Sequence, residues 1–178
     1  GVVSEGLTHP DTIEHVYGMV NGIEGFLNDR ILDFEEALPG DKLNGLTHTP
    51  GAYLGSCRYK LPESLEDPVY PALFKKFEEL NIGWFFYIGG NDSMDTVSKL
   101  SRYAASIGSP IRVIGEPKTI DNDLVHTDHT PGFGSAAKYV ASTVREITTD
   151  ANVYEKRSVT IIEIMGRHAG WLTAASAL

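Results

Sequence analysis

The chain has 178 residues, 42% of them hydrophobic, and a formal net charge of -9 at pH 7. This composition is typical of a soluble globular chain, and the length suits a single domain. The acidic balance argues against nucleic acid or an anionic membrane as a partner, and no apolar run approaches the roughly 20 residues that span a bilayer. Cys57 is the only cysteine, which excludes internal disulfides and fits a reducing, cytoplasmic setting.

The first part of the chain predicts short elements. Residues 14–21 are typical of a strand, 23–28 of a short helix and 31–34 of a second strand. Residues 35–68 are rich in Pro, Gly, Asn and Thr, so we expect an irregular stretch that offers binding loops. A helix is predicted over 68–80, because Leu73, Phe77 and Leu80 recur on one side.

One plan then occurs three times: an apolar run, a polar loop and a helix. Residues 82–88 form an almost continuous apolar run, which predicts a strand buried on both faces. Residues 110–114 and 158–164 predict two further strands. The apolar positions of the following helices recur at helical spacing, and they are Met94, Val97, Leu100, Tyr103 and Ala104 in one helix, and Phe133, Ala137, Val140, Val144 and Ile147 in a helix from about Thr130.

Strands that alternate with helices predict the fold class. We expect an α/β protein with three layers, in which a mostly parallel sheet carries helices on both faces. Ligands of such sheets bind at the carboxyl ends of the strands. All three polar loops are therefore expected at one edge of the sheet.

The first polar loop follows residues 82–88 and reads Gly89-Gly90-Asn91-Asp92-Ser93. Two glycines let the backbone approach an anion closely, and the helix start offers unpaired N–H groups and a partial positive charge. The loop therefore predicts a phosphate cradle. The plainer alternative is a Gly-Gly turn with Asp92 or Ser93 as a helix cap. Asp92 would compete with a phosphate for the same donors, and it could instead help to hold a metal.

The second loop covers 115–123 and contains Lys118, Thr119, Asp121 and Asp123. Asp121 is the best candidate for a general base, because phosphoryl transfer to an alcohol needs a group that accepts the hydroxyl proton. Lys118 would stabilise the charge of the transferring group, and Thr119 could hydrogen-bond to it. Asp123 could share a Mg²⁺ ion with Asp121 or be an ordinary turn carboxylate.

The third loop brings together Met165, Gly166 and Arg167. A guanidinium is a planar fork suited to phosphate, and Gly166 would leave room for a ligand. Met165 is by itself more typical of a core, and His168 is more typical of a structural histidine than of a catalytic one. Arg58, in the irregular stretch, would alone be an ordinary surface arginine.

Together these motifs resemble the 6-phosphofructokinase family over nearly the whole chain. GGNDS resembles the family's GGDGS or GGDDS loop, and PKTIDND its PGTIDND or PKTIDND loop. MGRHAGW resembles its MGR segment, LGSCR its LGSAR, and TDHTPGF the stretch that leads to the next helix. Several motifs in the same order are more specific than one.

The resemblance implies a Rossmann-like N-terminal domain and transfer of phosphate to the 1-hydroxyl of fructose 6-phosphate with Mg²⁺. Asp121 matches the family's catalytic base, and Thr119 and Asp123 its active-site partners. The remaining matches concern binding: Arg58 corresponds to a phosphate-binding arginine of the donor site, Ile120 lies with Thr119 and Asp121 in the substrate-binding loop, and Met165, Gly166 and Arg167 correspond to sugar-phosphate contacts.

The expected donor depends on two positions. In ATP-using relatives the residues that match Asp92 and Lys118 are commonly glycine. Here Asp92 would occupy and repel the α-phosphate region, while Lys118 would supply a charge to the transferring group, so the chain resembles the pyrophosphate-dependent branch. Asn91 stands where many relatives have a metal-binding Asp, and a neutral amide oxygen would hold Mg²⁺ only weakly.

The resemblance leaves three alternatives and one expectation about length. The alternatives are an ATP-dependent phosphofructokinase that tolerates Asp92, a non-catalytic regulatory subunit, and, more remotely, a module like the NAD or lipid kinases.

The chain lacks an initial Met, and the family's first glycine-rich loop would precede Gly1. A second substrate domain would follow Leu178, so we expect residues 1–178 to be a single-domain fragment with little turnover alone. The full-length relatives assemble as dimers or tetramers, which implies a homo-oligomer.

Overall fold

A computed structural model describes residues 1–38 and 42–177. Residues 39–41, within the predicted irregular stretch, and Leu178 lie outside the described residues. The chain divides into two compact units. Unit 1 contains Gly1–Tyr87 and Asp95–Ile114, and unit 2 contains Ile88–Met94 and Gly115–Leu178.

The first half of the chain contains short elements and one longer helix. Their bounds are α1 Val2–Leu7, β1 Tyr17–Met19, α2 Gly22–Leu27, β2 Ile31–Asp33, α3 Phe34–Ala37, α4 Lys42–Gly45, a 3₁₀ turn Leu46–His48 and α5 Val69–Glu79. Strands β1 and β2 pair antiparallel, with Tyr17 opposite Asp33 and Met19 opposite Ile31. The elements predicted over 14–34 are thus confirmed in type and order, and the strands are shorter than expected.

The second half contains the longer elements that carry the polar loops. Their bounds are β3 Trp84–Gly89, α6 Asn91–Ser106, β4 Arg112–Pro117, α7 Phe133–Ala151 and α8 Trp171–Ala175. Strands β3 and β4 are neighbours in one sheet. The Arg112 N–H donates to the Gly83 carbonyl (2.9 Å) and the Lys118 N–H to the Gly89 carbonyl (2.8 Å), so both strands run in the same direction.

Unit 1 contains a core rich in aromatic side chains. Tyr70 and Leu73 of α5 are fully buried, and Phe74 and Phe77 are nearly so. The rings of Phe26 and Phe77 stack with centroids 5.1 Å apart. The predicted apolar face of α5 is confirmed, because the same side of the helix that carries Leu73 and Phe77 is buried.

A buried lysine joins two segments of unit 1. Lys99 of α6 is 2% exposed, and its ammonium donates to the Leu61 carbonyl (3.1 Å) and to Glu63 Oε1 (2.6 Å). It also lies 2.7 Å from Asp95 Oδ2, one turn earlier on the helix. Hydrogen bonding to Asp95, followed by that to Glu63, raises the pKa of Lys99. The ammonium is therefore held in its charged form.

Unit 2 has a smaller buried core. Its helices α7 and α8 pack together, and Leu172 and Ala175 of α8 are buried. Helix α7 has no fully buried side chain. Its five predicted apolar positions are all half-buried, which confirms the stripe, and the helix begins at Phe133 because Gly132 has a left-handed φ of 87° that cannot belong to a helix.

Two details of the predicted sheet are wrong for the residues that the structure describes. Residues 158–164 do not form a strand, and Val159 and Ile161 are 90% and 91% exposed. A strand needs a neighbour to pair its N–H and C=O groups, and no described segment pairs with this one. Strand β3 is not buried on both faces, because Trp84, Phe86 and Ile88 are 47%, 38% and 61% exposed. Apolar composition alone does not reveal which face lacks a cover.

The α/β class is confirmed: strands β3 and β4 are parallel, and helix α6 lies between them in the chain. No helix within 1–38 and 42–177 is both long enough and apolar enough to cross a bilayer.

Candidate active site

The first polar loop connects strand β3 to helix α6. Strand β3 ends at the buried Gly89 and helix α6 begins at Asn91. A Cβ added at Gly89 would overlap the Ser93 hydroxyl, so glycine is required here by a close approach within the loop itself. The Gly90 carbonyl accepts from the N–H groups of Ser93 (3.0 Å) and Met94 (3.1 Å). The loop is therefore tight, and it exposes Asn91 and Asp92 at the positive end of the helix.

The second polar loop begins beside the first. The Lys118 N–H donates to the Gly89 carbonyl at 2.8 Å, and a Cβ added at Gly90 would lie 3.6 Å from the Lys118 carbonyl oxygen. The side chain of Lys118 is exposed. A solvated ammonium thus projects from backbone that is bonded to the Gly-Gly segment, as expected where parallel strands end together.

The residues after Lys118 form a loop ordered by short-range hydrogen bonds. Thr119 Oγ1 accepts from the Asp121 N–H at 3.0 Å, which is a local side-chain turn. Thr119, Ile120 and Asp121 are half-buried, whereas Asp123 is exposed. The Thr119 hydroxyl keeps its own proton as a donor.

Asn122, between the two aspartates, is a residue that the sequence interpretation missed. Its φ is 58°, a left-handed conformation that Asn adopts more readily than most residues. Its Oδ1 accepts from the Thr130 N–H at 2.9 Å, and its Nδ2 donates to the Asp128 carbonyl at 3.3 Å. The Asn-Asp-rich composition signalled a turn, but the partners of Asn122 could not be read from the sequence.

The third polar loop has a different local setting. Met165 is 69% exposed and Arg167 is also exposed. Gly166 has a φ of 141°, and a Cβ there would overlap the Ala169 carbonyl oxygen. The expectation that Gly166 leaves room for a ligand is therefore corrected: the chain itself fills that space. Residues 158–164 form no strand, so the expectation that this loop follows a strand is wrong within the described residues.

Arg58 belongs to unit 1, in the LGSCR segment. Its side chain is exposed. The segment is fixed by Asn21, whose N–H donates to the Leu54 carbonyl (2.7 Å) and whose Nδ2 donates to the Ser56 carbonyl (3.4 Å). The backbone beside Arg58 is thus anchored, while its guanidinium is accessible to an anion.

The oxygen-bearing side chains of unit 2 fit the ligand preference of Mg²⁺. Asn91, Asp121 and Asp123 offer amide and carboxylate oxygens. Among the described residues, the single group of three His, Cys, Asp or Glu side chains close enough for one ion is His15, Asp33 and Glu35 in unit 1. The loops therefore do not form a complete protein cage. Mg²⁺ does not need one, because it commonly uses one or two carboxylates together with substrate phosphates and water.

The family model described as "Phosphofructokinase" matches residues 1–178. The chain belongs to the phosphofructokinase family.

Individual relatives agree with this family. The chain is 42% identical over 181 residues to "Pyrophosphate--fructose 6-phosphate 1-phosphotransferase" of Methylococcus capsulatus, covering 100% of the chain and 43% of the relative. It is 47% identical over 161 residues to the protein of the same name from Xanthomonas campestris, covering 89% of the chain and 38% of the relative. An "ATP-dependent 6-phosphofructokinase 3" of Streptomyces coelicolor is 33% identical over 179 residues, covering 99% of the chain and 48% of the relative. The chain thus spans less than half the length of these relatives.

A solved structure supports the fold directly. The crystal structure described as pyrophosphate-dependent phosphofructokinase from Marinobacter aquaeolei superposes with a TM-score of 0.85 at 45% identity. The superposition covers 98% of this chain and 43% of that chain.

Proposed function

We propose that this chain supplies the donor loop and the catalytic loop of an enzyme that transfers phosphate from pyrophosphate to the 1-hydroxyl of fructose 6-phosphate. The observation that carries the proposal is the hydrogen bond from the Lys118 N–H to the Gly89 carbonyl. It joins a lysine-bearing loop to a helix N-terminus that carries Asp92 in its first turn. Asp92 and Lys118 are the two residues whose charges disfavour a nucleotide donor and favour pyrophosphate.

Each loop has a defined part in the reaction. Gly89, Gly90 and Ser93 shape the donor loop, and Arg58 binds donor phosphate. The Asp121 carboxylate accepts the proton of the sugar hydroxyl as its oxygen attacks phosphorus. One phosphorus–oxygen bond forms and the bridging bond of pyrophosphate breaks, which gives fructose 1,6-bisphosphate and orthophosphate.

The positive side chains stabilise the charge that moves in this step. The Lys118 ammonium lies on the donor side, where it stabilises oxygens of the transferring group. Thr119 keeps a hydroxyl proton that can be donated to the same oxygens. Ile120, Met165, Gly166 and Arg167 contribute to the sugar-phosphate site, with Arg167 as the anion-binding fork.

A divalent metal is part of the proposal, because enzymes of the phosphofructokinase family generally use one. We assign Mg²⁺, held by the oxygens of Asn91 and Asp123 together with the donor phosphates. When bound, the ion would neutralise part of the phosphate charge. The exposed position of both side chains is compatible with such a mixed coordination shell.

The donor assignment is tested with the full-length protein and one double variant. Replacing Asp92 and Lys118 by Gly removes the carboxylate from the helix start and the ammonium from the catalytic loop. We expect the ratio of kcat/KM with pyrophosphate to kcat/KM with ATP to fall. A ratio equal to that of the wild type would contradict the roles of both side chains.

Further parts of the proposal concern the whole protein. Residues 1–178 act as one α/β domain fragment of a longer chain, which is a homo-oligomer that works in the cytoplasm in a reversible step of glycolysis. The coverage of 43% of the Methylococcus relative supports the fragment assignment. Robust phosphorylation of fructose 6-phosphate by the isolated 178 residues would refute it.

The main alternative is ATP as the donor, and the 33% identity to an ATP-dependent relative keeps it in the test. A regulatory subunit without chemistry is a second alternative, and the presence of Asp121 argues against it.

A further inference from the structure

We propose that Asn122 is the positioning residue that fixes Asp121 in the catalytic loop. This inference rests on the proposed function, because it takes Asp121 as the base. The contacts of the Asn122 side chain all lie within unit 2. Asn122 has no part in the chemistry itself.

Asn122 joins two arms of one loop. Its Oδ1 accepts from the Thr130 N–H at 2.9 Å, and its Nδ2 donates to the Asp128 carbonyl at 3.3 Å. The two partners fix the orientation of the amide, because a flipped amide would face N–H with NH₂ and carbonyl with oxygen. The Asn122 side chain therefore links residue 122 to residues 128 and 130, with one polar atom bonded to each.

The far arm is a firm anchor. Thr130 is fully buried, and its carbonyl accepts from the Phe133 N–H at the start of α7 (3.2 Å). Gly132, two residues on, lies against Ile120, since a Cβ there would stand 3.2 Å from Ile120 Cγ2. The Asn122 side chain thus connects the catalytic loop to a buried residue and, through it, to a 19-residue helix.

The near arm carries the base. Asp121 is bonded through its N–H to Thr119 Oγ1 at 3.0 Å and is followed directly by Asn122 at a φ of 58°. With Thr119 before it and Asn122 after it, the backbone of Asp121 is restrained on both sides. A general base is effective only within hydrogen-bond reach of its proton, so loosening one restraint should lower the rate of the chemical step more than substrate binding.

The variant Asn122→Gly distinguishes the effect of the side-chain hydrogen bonds from the effect of the backbone conformation. Glycine adopts positive φ without strain, so this variant removes the two hydrogen bonds and keeps the turn. Asn81→Gly is the matched control, because Asn81 has a φ of 54° and is exposed after α5 in unit 1. Both variants replace an asparagine by glycine at nearly the same positive φ.

The experiment uses the full-length protein with pyrophosphate, fructose 6-phosphate and Mg²⁺. We expect Asn122→Gly to lower kcat by about 100-fold, the scale of a misplacement near 1 Å, with KM nearly unchanged. Hydrogen exchange of the peptide that covers 118–132 should become faster. In an Asp121→Asn background, Asn122→Gly should cause little further loss, because both changes remove the same contribution. Asn81→Gly should leave kcat and the exchange of this peptide at wild-type values.

Wild-type kcat in Asn122→Gly would overturn the proposal, and so would unchanged exchange of 118–132. Full additivity of the two substitutions would also overturn it, since Asn122 would then act apart from Asp121. If Asn122→Gly fails to fold, Asn122→Asp tests one of the two bonds, because it keeps the acceptor for Thr130 and loses the donor to Asp128; wild-type kcat and wild-type exchange of 118–132 in that variant would overturn the proposal. Full activity of Asp121→Asn alone would instead contradict the proposed function, and the exchange measurement would still decide whether Asn122 orders the loop.

Discussion

The two units of the chain obtain their order in different ways. In unit 1 the buried side chains are mostly large and apolar, with Tyr70, Leu73 and Leu100 fully buried. In unit 2 the 19 residues of α7 include none that is buried, and the loop before it is held by hydrogen bonds of Thr119 and Asn122. Unit 1 is thus ordered by apolar burial, while the loops with the proposed chemistry are ordered by polar contacts over short sequence distances.

This contrast predicts that activity and stability can be lost separately. Changes in the loops of unit 2 should reduce turnover with little effect on unfolding. Changes in the core of unit 1 should do the reverse. The largest expected effect concerns the proposed base.

Asp121→Asn in the full-length protein should lower kcat by about 100- to 10,000-fold, because an amide cannot accept the hydroxyl proton. Steady-state rates of fructose 1,6-bisphosphate formation give the measurement. Asp128→Asn is the matched control, since the Asp128 side chain is exposed and its contact with Asn122 uses the backbone carbonyl. Thermal melts of both variants should overlay that of the wild type. Equal turnover in the two variants would remove Asp121 from the mechanism.

Leu73→Ala tests the opposite half of the comparison. Leu73 is 0% exposed, and truncation of such a residue costs about 2–5 kcal/mol of stability. Urea denaturation of the full-length protein, followed at the first transition, measures this loss. Ile107→Ala is the control, because Ile107 is 48% exposed and should change stability by less than about 0.5 kcal/mol. The preference for pyrophosphate over ATP should be the same in both variants. A stability loss in Leu73→Ala no greater than that in Ile107→Ala would contradict the assignment of Leu73 to the core.

Lys99→Met tests a polar contact within the apolar unit. Removing the ammonium leaves the Leu61 carbonyl without the donor that it has now. We expect the melting temperature to fall by several degrees. Lys75→Met is the matched control. Like Lys99 with Asp95, Lys75 forms an i,i+4 ion pair, with Glu79 at 3.6 Å, but its side chain is 76% exposed. Exposed pairs of this kind contribute little, so equal shifts in the two variants would show that burial of Lys99 does not matter.

The smallest expected effect is a dependence of stability on alkaline pH. Burial raises the pKa of Tyr87 to about 12, from 10.0 for an exposed tyrosine. Between these values the folded protein keeps a proton that the unfolded chain releases, so stability should fall as pH rises through this window. Tyr87→Phe should flatten that part of the curve, whereas Tyr139→Phe, at a site 72% exposed, should not. Parallel curves for wild type and Tyr87→Phe would contradict the role of burial.

Sequence periodicity predicted the elements of this chain better than their surroundings. The apolar stripe of α5 and the five apolar positions of α7 were read correctly, because side chains on one helical face follow from spacing alone. The strand expected over 158–164 was wrong within the described residues, since pairing depends on a neighbour that the local sequence does not specify. The same limit applies to the open face of β3, where Trp84 and Ile88 are exposed.

The candidate site shows the same division. Residue types identified Asp121 and Lys118 as chemically useful, and the expected parallel sheet predicted that their loop and the Gly89 loop would lie at one edge. The role of Asn122 was not predictable, because its partners Asp128 and Thr130 are six and eight residues away and belong to an irregular segment. The reason for Gly166 was also misread, since only the folded loop reveals the contact with Ala169.

The central claim is that the full-length protein uses pyrophosphate as its phosphoryl donor. The most direct measurement compares initial rates of fructose 1,6-bisphosphate formation with pyrophosphate and with ATP, at equal concentrations and with Mg²⁺ present. We predict rapid turnover with pyrophosphate and little with ATP. Efficient turnover with ATP and none with pyrophosphate would contradict the roles assigned to Asp92 and Lys118.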